Sequence, residues 1–458
     1  MLEVDDKADF VQRAFLVGVR TGRMRAAEAE EHLDELALLA DTMGVAVVGR
    51  RVVTVGRFNP ALLIGAGKAE EIGEECRRLE ADCLIFDDDL SPSQQRNWEK
   101  ATEIAVIDRR EVILDIFAQH ARTREARLQV DLARLEYSRP RLRRAWTHLE
   151  RQAGHRGVRG GAGEMQLETD QRMVRTQIAS IKRQLAEVRR QRATRRERRS
   201  VKPTPVCVIV GYTNAGKSTL LRALTGADVL CEDKLFATLD PTTRRIVLPN
   251  SQELLLSDTV GFIRKLPHDL VASFKATLEE VQLADFLIHV VDASHPNAKG
   301  QIAATEGVLT ELKADDKPTV LALNKIDRPE ARGQAFELSG RADSVVRISA
   351  ATGEGLELLL AALAALCSGQ LERLVVEAPP DRYDIVSLVH REGRVQSEDY
   401  NSNGARLEVD FPRRLRHKLQ GFIREEIPRE PAQRAPGASP SLHARFPKAE
   451  ANGPRDKP

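Results

Sequence analysis

Cysteine is scarce and unpatterned: Cys76, Cys83, Cys207, Cys231 and Cys367 include no C-x-x-C pair. Cys83, Cys207 and Cys367 lie in apolar runs, where cysteine behaves as a small core residue. This argues against a zinc site or a disulfide framework and points to a reducing cytosol. Long apolar runs are also missing. The longest, LLLAALAALC at 358–367, has ten residues, whereas a bilayer span needs about 20, so a packed helix and no membrane span are expected. The start, MLEVDDKADF, lacks the basic-then-apolar pattern of a secretory leader, and a cytoplasmic protein is expected. Charge of one sign is not in excess either: the net value is +2, which names no partner.

The 458 residues, 42% apolar and 30% charged, suit a globular protein of about two to four domains. Charge is uneven along the chain. Residues 182–202 hold ten Lys/Arg against Glu187 and Glu197, a local +8. Such a run is either a solvated helix face or a phosphate-binding surface.

Residues 1–122 alternate apolar and charged segments. VAVVGRRVVTV (45–55), CLIF (83–86) and IAVI (104–107) predict strands, and AEEIGEECRRLE (69–80) and SQQRNWEKATE (93–103) predict helices between them. That alternation indicates a small α/β domain with a partly parallel sheet. GAGK at 65–68 lacks the full phosphate-loop spacing and is followed by Ala69, so it is read as ordinary backbone.

Over residues 123–200 the period changes. Leu128, Leu132, Leu135, Leu142, Trp146 and Leu149 form one heptad-spaced seam; Leu167, Val174, Ile178, Ile181, Leu185 and Val188 form a second. Pro140 is expected to kink the first helix. Between the seams, GHRGVRGGAG (154–163) supplies five glycines with His155, Arg156 and Arg159. The pattern predicts a long antiparallel helical hairpin, each arm about 40 Å long. Its glycine-rich tip is either a linker or an RNA contact made by Arg156 and Arg159. PTP at 203–205 marks a boundary. Residues 201–370 again alternate strands and helices. Residues 371–428 predict a small α+β domain in which the segment from Tyr383 reads as strands and RRLRHKLQGFI as a helix. The tail, 429–458, is rich in Pro, Ala, Ser and charge and is expected to be disordered.

The chemistry concentrates in 201–370. The apolar strand VCVIV (206–210) runs into GYTNAGKS (211–218), a full G-x-x-x-x-G-K-S match, and then a helix. Gly211, Tyr212, Thr213, Asn214, Ala215 and Gly216 would wrap phosphates with backbone N–H groups at a helix N-terminus. Lys217 would reach the β- and γ-phosphates, and Ser218 would ligate magnesium. The base is chosen downstream. TVLAL (319–323) ends in NKID, where the Asp327 carboxylate can accept from guanine N1–H and the 2-amino group while Asn324, Lys325 and Ile326 form the loop. Ser349, Ala350 and Ala351 of SAATGEG stand where a backbone N–H reads guanine O6. ELLLSDTVG (253–261) brings Asp258 to the magnesium's outer shell and Thr259, Val260 and Gly261 to the γ-phosphate. These motifs, each at a strand's C-terminal end, predict GTP binding. A magnesium-ligating threonine is expected in FATLDPTTRR (236–245), from Thr238, Thr242 or Thr243.

GYTNAGKSTL, LFATLDPTTRR, DTVGFIRKLPHDLV and NKID resemble the HflX family of GTPases, as do RREVILDIFAQHARTREARLQVDLARLEY (109–137) and the glycine loop leading into QLETDQR. The resemblance covers about residues 45–430. It implies a P-loop (Ras-like) α/β GTPase domain preceded by a small α/β domain carrying the hairpin and followed by a small α+β domain. It implies that Phe236, Ala237, Thr238, Leu239 and Asp240 line the nucleotide, with Thr238 the magnesium ligand. Lys217 and Gly261 are the residues expected to act in catalysis. It further implies binding to the large ribosomal subunit and its rRNA, with splitting or rescue of stalled ribosomes under stress. The alternative is an RNA-binding assembly or remodelling factor for which GTP is a docking switch. One departure stands out: the family tends to read G-P-G-E-T-Q-L-E where this chain has GAGEMQLE (161–168). Asn214 stands where related GTPases use an asparagine to hold potassium; capping of the loop is the other reading. Nothing in the sequence demands an oligomer, and a monomer is expected.

Phe262 follows the D-x-x-G motif at a position where many GTPases carry a water-orienting glutamine. A phenyl ring neither donates nor accepts a proton, so intrinsic hydrolysis is expected to be slow and to await a partner that orders the switches.

Overall fold

The computed structural model describes residues 12–22, 24–145, 162–199, 204–226, 235–236, 239, 242–265, 280–331, 344–369, 371–401 and 404–427. The hairpin tip with Arg156 and Arg159, the segment residues Ala237, Thr238 and Asp240, and the tail lie outside them.

The first sheet is wholly parallel, in the order β2-β1-β3-β4, from β1 (Arg13–Thr21), β2 (Ala46–Val55), β3 (Cys83–Phe86) and β4 (Ala105–Asp108). Its helices are α1 (Ala26–Met43), α2 (Ala66–Arg78), α3 (Pro92–Thr102) and α4 (Arg109–His120). The central strand β1 and helix α1 were not anticipated. RAFLVGVRT is a short apolar run buried on both faces, so it lacks the alternation that marks a half-exposed strand. Ser91 opens α3 with a capping box to Gln94, and Gly65 is the N-cap of α2.

From α4 the chain enters α5 (Arg124–Ala145) and returns along α6 (Ala162–Arg199). Helix α5 runs through Pro140. Leu132, Val174, Ile178 and Leu185 form a buried cluster, with Leu128, Leu135 and Ile181 packed against it. The heptad seams therefore zip the arms, and Lys182 reaches Glu136 at 2.8 Å across them. The side chains of Leu142, Trp146, Leu149 and Leu167 lie outside the described set. The second half of α5 is tied to the first sheet. Tyr137 donates to Asp108 at 3.0 Å, and Arg141 pairs with Asp108 at 3.2 Å while its guanidinium lies 3.4 Å from the Tyr137 ring centroid.

The second sheet has the order β10-β9-β8-β5-β7-β6. It contains β5 (Val206–Gly211), β6 (Thr242–Val247), β7 (Glu253–Asp258), β8 (Phe286–Asp292), β9 (Thr319–Asn324) and β10 (Ser344–Arg347). All neighbours pair parallel except the hairpin partners β6 and β7. Among the described helices here are α7 (Lys217–Thr225), α8 (Ala298–Glu311) and α9 (Leu356–Gly369). The apolar run 358–367 falls within α9, whose Leu359, Leu363 and Cys367 join the sheet's core.

The last unit is an antiparallel sheet, β12-β13-β11-β14. It is built from β11 (Leu371–Ala378), β12 (Arg394–Asn401), β13 (Gly404–Pro412) and β14 (Ile423–Ile427), with α10 (Tyr383–Glu392) packed on it. Here the structure corrects two expectations. YDIVSLVHRE is a helix, because Ile385, Val386 and Val389 fall on one helical face and are buried together. RRLRHKL is a 3-10 segment (Arg413–Leu419), and the residues after Gly421, which has φ of 96°, turn into β14.

Among the described residues no helix is long and apolar enough to cross a membrane. Cys76, Cys207 and Cys367 are buried free thiols, and Cys83 is buried too.

Candidate functional site

Parallel pairing sets the site. β5, β7, β8 and β9 end together, with Ile209 beside Asp258, Gly211 beside Val290, and Asp292 beside Asn324. Every polar motif therefore emerges at one edge, where open α/β sheets bind ligands.

The phosphate-type loop is a turn that only glycine permits at its ends. Gly211 has φ of 147°, and a Cβ there would meet the Val290 carbonyl oxygen at 2.2 Å. Gly216 has φ of 94°, and its Cβ would meet Asn324 Nδ2 at 2.3 Å. Asn214, exposed at the bend, takes φ of 58°, a region asparagine tolerates. Helix α7 then starts at Lys217, so its free N–H groups and positive dipole end face the loop.

Lys217 is buried and donates from Nζ to the Tyr212 carbonyl at 2.8 Å. Burial pushes its ammonium down to about 8; Asp258 opposes this and Lys325 adds to it. Ser218 Oγ donates to Asp258 Oδ2 at 2.7 Å. A hydroxyl and a carboxylate side by side next to the loop are hard oxygen donors that fit magnesium. Thr243 instead shares a 2.6 Å hydrogen bond with Ser257 within the β6–β7 ladder.

The D-x-x-G loop is fastened to the phosphate-type loop through backbone. Phe262 N donates to the Gly211 carbonyl at 3.0 Å, and Thr213 N to the Phe262 carbonyl at 2.7 Å. Gly261 lies close enough that a Cβ would stand 2.8 Å from both Lys217 Nζ and Thr213 Cα. Thr259 turns inward to donate to the Ile209 carbonyl at 2.7 Å, and Val260 is buried. The Phe262 ring points away, into a core with Val208, Val210, Val281 and Leu287.

On the other side, Asn324 bridges two loops: Nδ2 donates to the Ala215 carbonyl at 2.8 Å, and Oδ1 accepts from Ala350 N at 2.9 Å. Asp327 is exposed and is oriented by Ser349 Oγ at 2.6 Å, and Ile326 N donates to the Ile348 carbonyl at 3.3 Å. Ala351 is exposed beside them. Lys325, at φ of 64°, pairs with Asp292 at 2.7 Å. Burial alone would raise the Asp292 carboxyl, but hydrogen bonds from Lys325 and Ser294 hold it below its usual range.

Sequence reasoning missed what surrounds this edge. Tyr212, Leu235, Phe236, Leu239, Val260 and Ile263 are buried in one cluster with α1 and α4 of the first domain. Phe236 meets Phe117 edge-on at 4.7 Å between centroids. Buried Arg109 pairs with Asp87 at 2.8 Å and also with Glu35. Lys265 reaches Asp87 at 2.9 Å and Asp88 at 2.6 Å. A signal existed in Asp87 following CLIF and in the adjacent Arg264 and Lys265, but nothing in sequence pairs residues so far apart.

Family models match along the chain: "GTP-binding GTPase N-terminal" at 30–118, "GTP-binding GTPase Middle Region" at 120–199, "50S ribosome-binding GTPase" at 206–325 and "HflX C-terminal domain" at 335–421. GTPase HflX of Akkermansia muciniphila is 46% identical over 437 residues, covering 92% of this chain and 99% of the relative. GTPase HflX of Escherichia coli is 43% identical over 386 residues, covering 83% and 90%. A solved GTP-binding protein from Sulfolobus solfataricus in complex with GDP is 24% identical, covers 78% of this chain and 99% of its own, and has a TM-score of 0.41. With matching models from the first sheet to the last and relatives aligned over most of its length, the chain belongs to the HflX family of GTPases.

Proposed function

We propose that this GTPase binds the large ribosomal subunit in the cytoplasm and uses its nucleotide state to split or rescue stalled ribosomes. The observation that carries the reading is that Tyr212, Val260 and Ile263, beside the phosphate and D-x-x-G loops, share one core with the domain that carries the helical hairpin. Whatever moves those loops must repack that core, because close-packed interfaces switch between discrete arrangements.

In this reading the N–H groups of residues 211–218 wrap the phosphates and Lys217 neutralises their charge. Ser218 and Thr238 would hold magnesium, with Asp258, which accepts from the Ser218 hydroxyl, supporting it. Bound there, it would supply charge stabilisation for the phosphates. Gly261 N–H addresses the γ-phosphate. Asp327 accepts from guanine, Asn324 braces the loop, Lys325 lies along the base, and the 349–351 backbone reads O6. Asn214 would hold a potassium ion, the alternative being that it caps the loop. Since the Phe262 ring belongs to the core, the water is oriented only when the ribosome orders the switches. Arg156 and Arg159 at the hairpin tip contact rRNA.

Subunit dissociation of intact ribosomes by the protein with a non-hydrolysable GTP analogue tests this. Splitting supports it; binding confined to free or immature large subunits would instead favour an assembly factor.

A further inference from the structure

Resting on the GTPase reading above and deepening it, we propose that Tyr212 is the positioning residue through which the N-terminal domain holds the D-x-x-G loop. Nucleotide state and domain docking are thereby coupled through one phenol. Tyr212 is the second residue of the phosphate-type loop, yet its side chain leaves that loop and is buried in the first domain's cluster. Its hydroxyl is used twice. It donates to Glu35 Oε2 at 2.5 Å and accepts the Arg264 backbone N–H at 2.8 Å. Burying a hydroxyl is costly unless it is bonded, and a phenylalanine would fill the same apolar space.

The two partners close a ring. Arg264 lies 3.5 Å from Asp87, Asp87 pairs with Arg109, and Arg109 pairs with Glu35. The ring Glu35–Tyr212–Arg264–Asp87–Arg109 crosses the domain boundary twice. Only Phe262 and Ile263 separate Gly261 from Arg264, and the Gly211–Phe262 and Phe262–Thr213 hydrogen bonds join the same stretch to the phosphate-type loop. A shift of Gly261 toward a γ-phosphate must therefore be followed by the Arg264 amide, and through the phenol by Glu35 on α1. An interface that merely glued the domains together would not depend on which nucleotide is bound.

The test is hydrogen exchange of full-length Tyr212→Phe and wild type, in GDP and in a non-hydrolysable GTP analogue, read at the segments holding Glu35 and Arg109. Wild type should show a nucleotide-dependent difference there. Tyr212→Phe should lose it by about fivefold, with kcat for GTP down about threefold and KM held within about twofold. Glu35→Gln, whose amide oxygen still accepts the phenol proton, should keep about half of the difference. A wild-type difference retained in Tyr212→Phe, or a raised KM at unchanged kcat, overturns the proposal. Absence of GTP and GDP binding by wild type would overturn the GTPase reading together with it, and is a separate signature.

Discussion

Ser349 Oγ donates to Asp327 Oδ1 at 2.6 Å, so the carboxylate proposed to read the base is held by a residue 22 positions away. Oδ2 is left to accept and Oδ1 keeps a second lone pair, so the carboxylate could still accept from both donors on guanine's edge. Asp327→Asn should weaken GTP binding about 100-fold, the loss of two charge-assisted hydrogen bonds. The same variant should gain xanthosine triphosphate, whose 2-oxo group accepts from an amide. Calorimetry with both nucleotides reads this; equal GTP affinity in the variant would remove Asp327 from the base site.

Ser218→Ala removes the hydroxyl beside Asp258. GTP affinity in magnesium should fall about tenfold, and GDP affinity by less, because the γ-phosphate shares the metal. Chelation of divalent cations should produce the same ordering in wild type. A variant that still binds GTP as wild type does in magnesium would rule out Ser218 as a ligand.

Phe262→Gln tests the position where a catalytic glutamine would be expected. Phe262 is 1% exposed, so the amide would be buried without partners and stability should drop by about 3–5 kcal/mol. Intrinsic hydrolysis should not rise. Urea unfolding and single-turnover hydrolysis measure the two; a faster, equally stable variant would contradict the packing.

Asp87 carries a pH signature. Burial would raise its carboxyl, but Arg109, Lys265 and Arg264 overcome that and hold it below the usual aspartate value. A depressed folded-state value stabilises fully above the unfolded one, about 3.9, and the gain is lost as pH falls through the folded value. Asp87→Asn should therefore be about 3 kcal/mol less stable than wild type at neutral pH. That gap should stay flat down to about pH 5 and close below about pH 4. A gap that widened on acidification would refute the assignment.

Charge reversal at Arg156 and Arg159 should weaken ribosome association and flatten its salt dependence by about one unit per lost phosphate contact. GTP affinity should be unchanged. Sedimentation with ribosomes over a salt series measures it, and unaltered binding would rule out contact by the tip.

Much of this protein was legible because its signals are local. Phosphate-loop spacing, NKID after an apolar strand and heptad seams each depend on residues within a few turns of one another. Strand β1 escaped because burial on both faces erases alternation, and α10 was misread because a short apolar run fits either period. The role of Phe262 was half legible: its lack of a proton-transferring group was plain, but the direction of its ring was set by Val208, Val281 and Leu287.

By itself, then, the sequence determined the nucleotide chemistry and the hairpin, because backbone conformation and side-chain spacing are dictated by neighbours along the chain. Only the tertiary structure decided that Tyr212 meets Glu35 and that Asp87 gathers Arg109, Arg264 and Lys265. Those partners lie up to 178 residues apart. What brings them together is one apolar core shared by the first domain and the loops around the nucleotide site, and no local pattern encodes which charges that burial will force to pair.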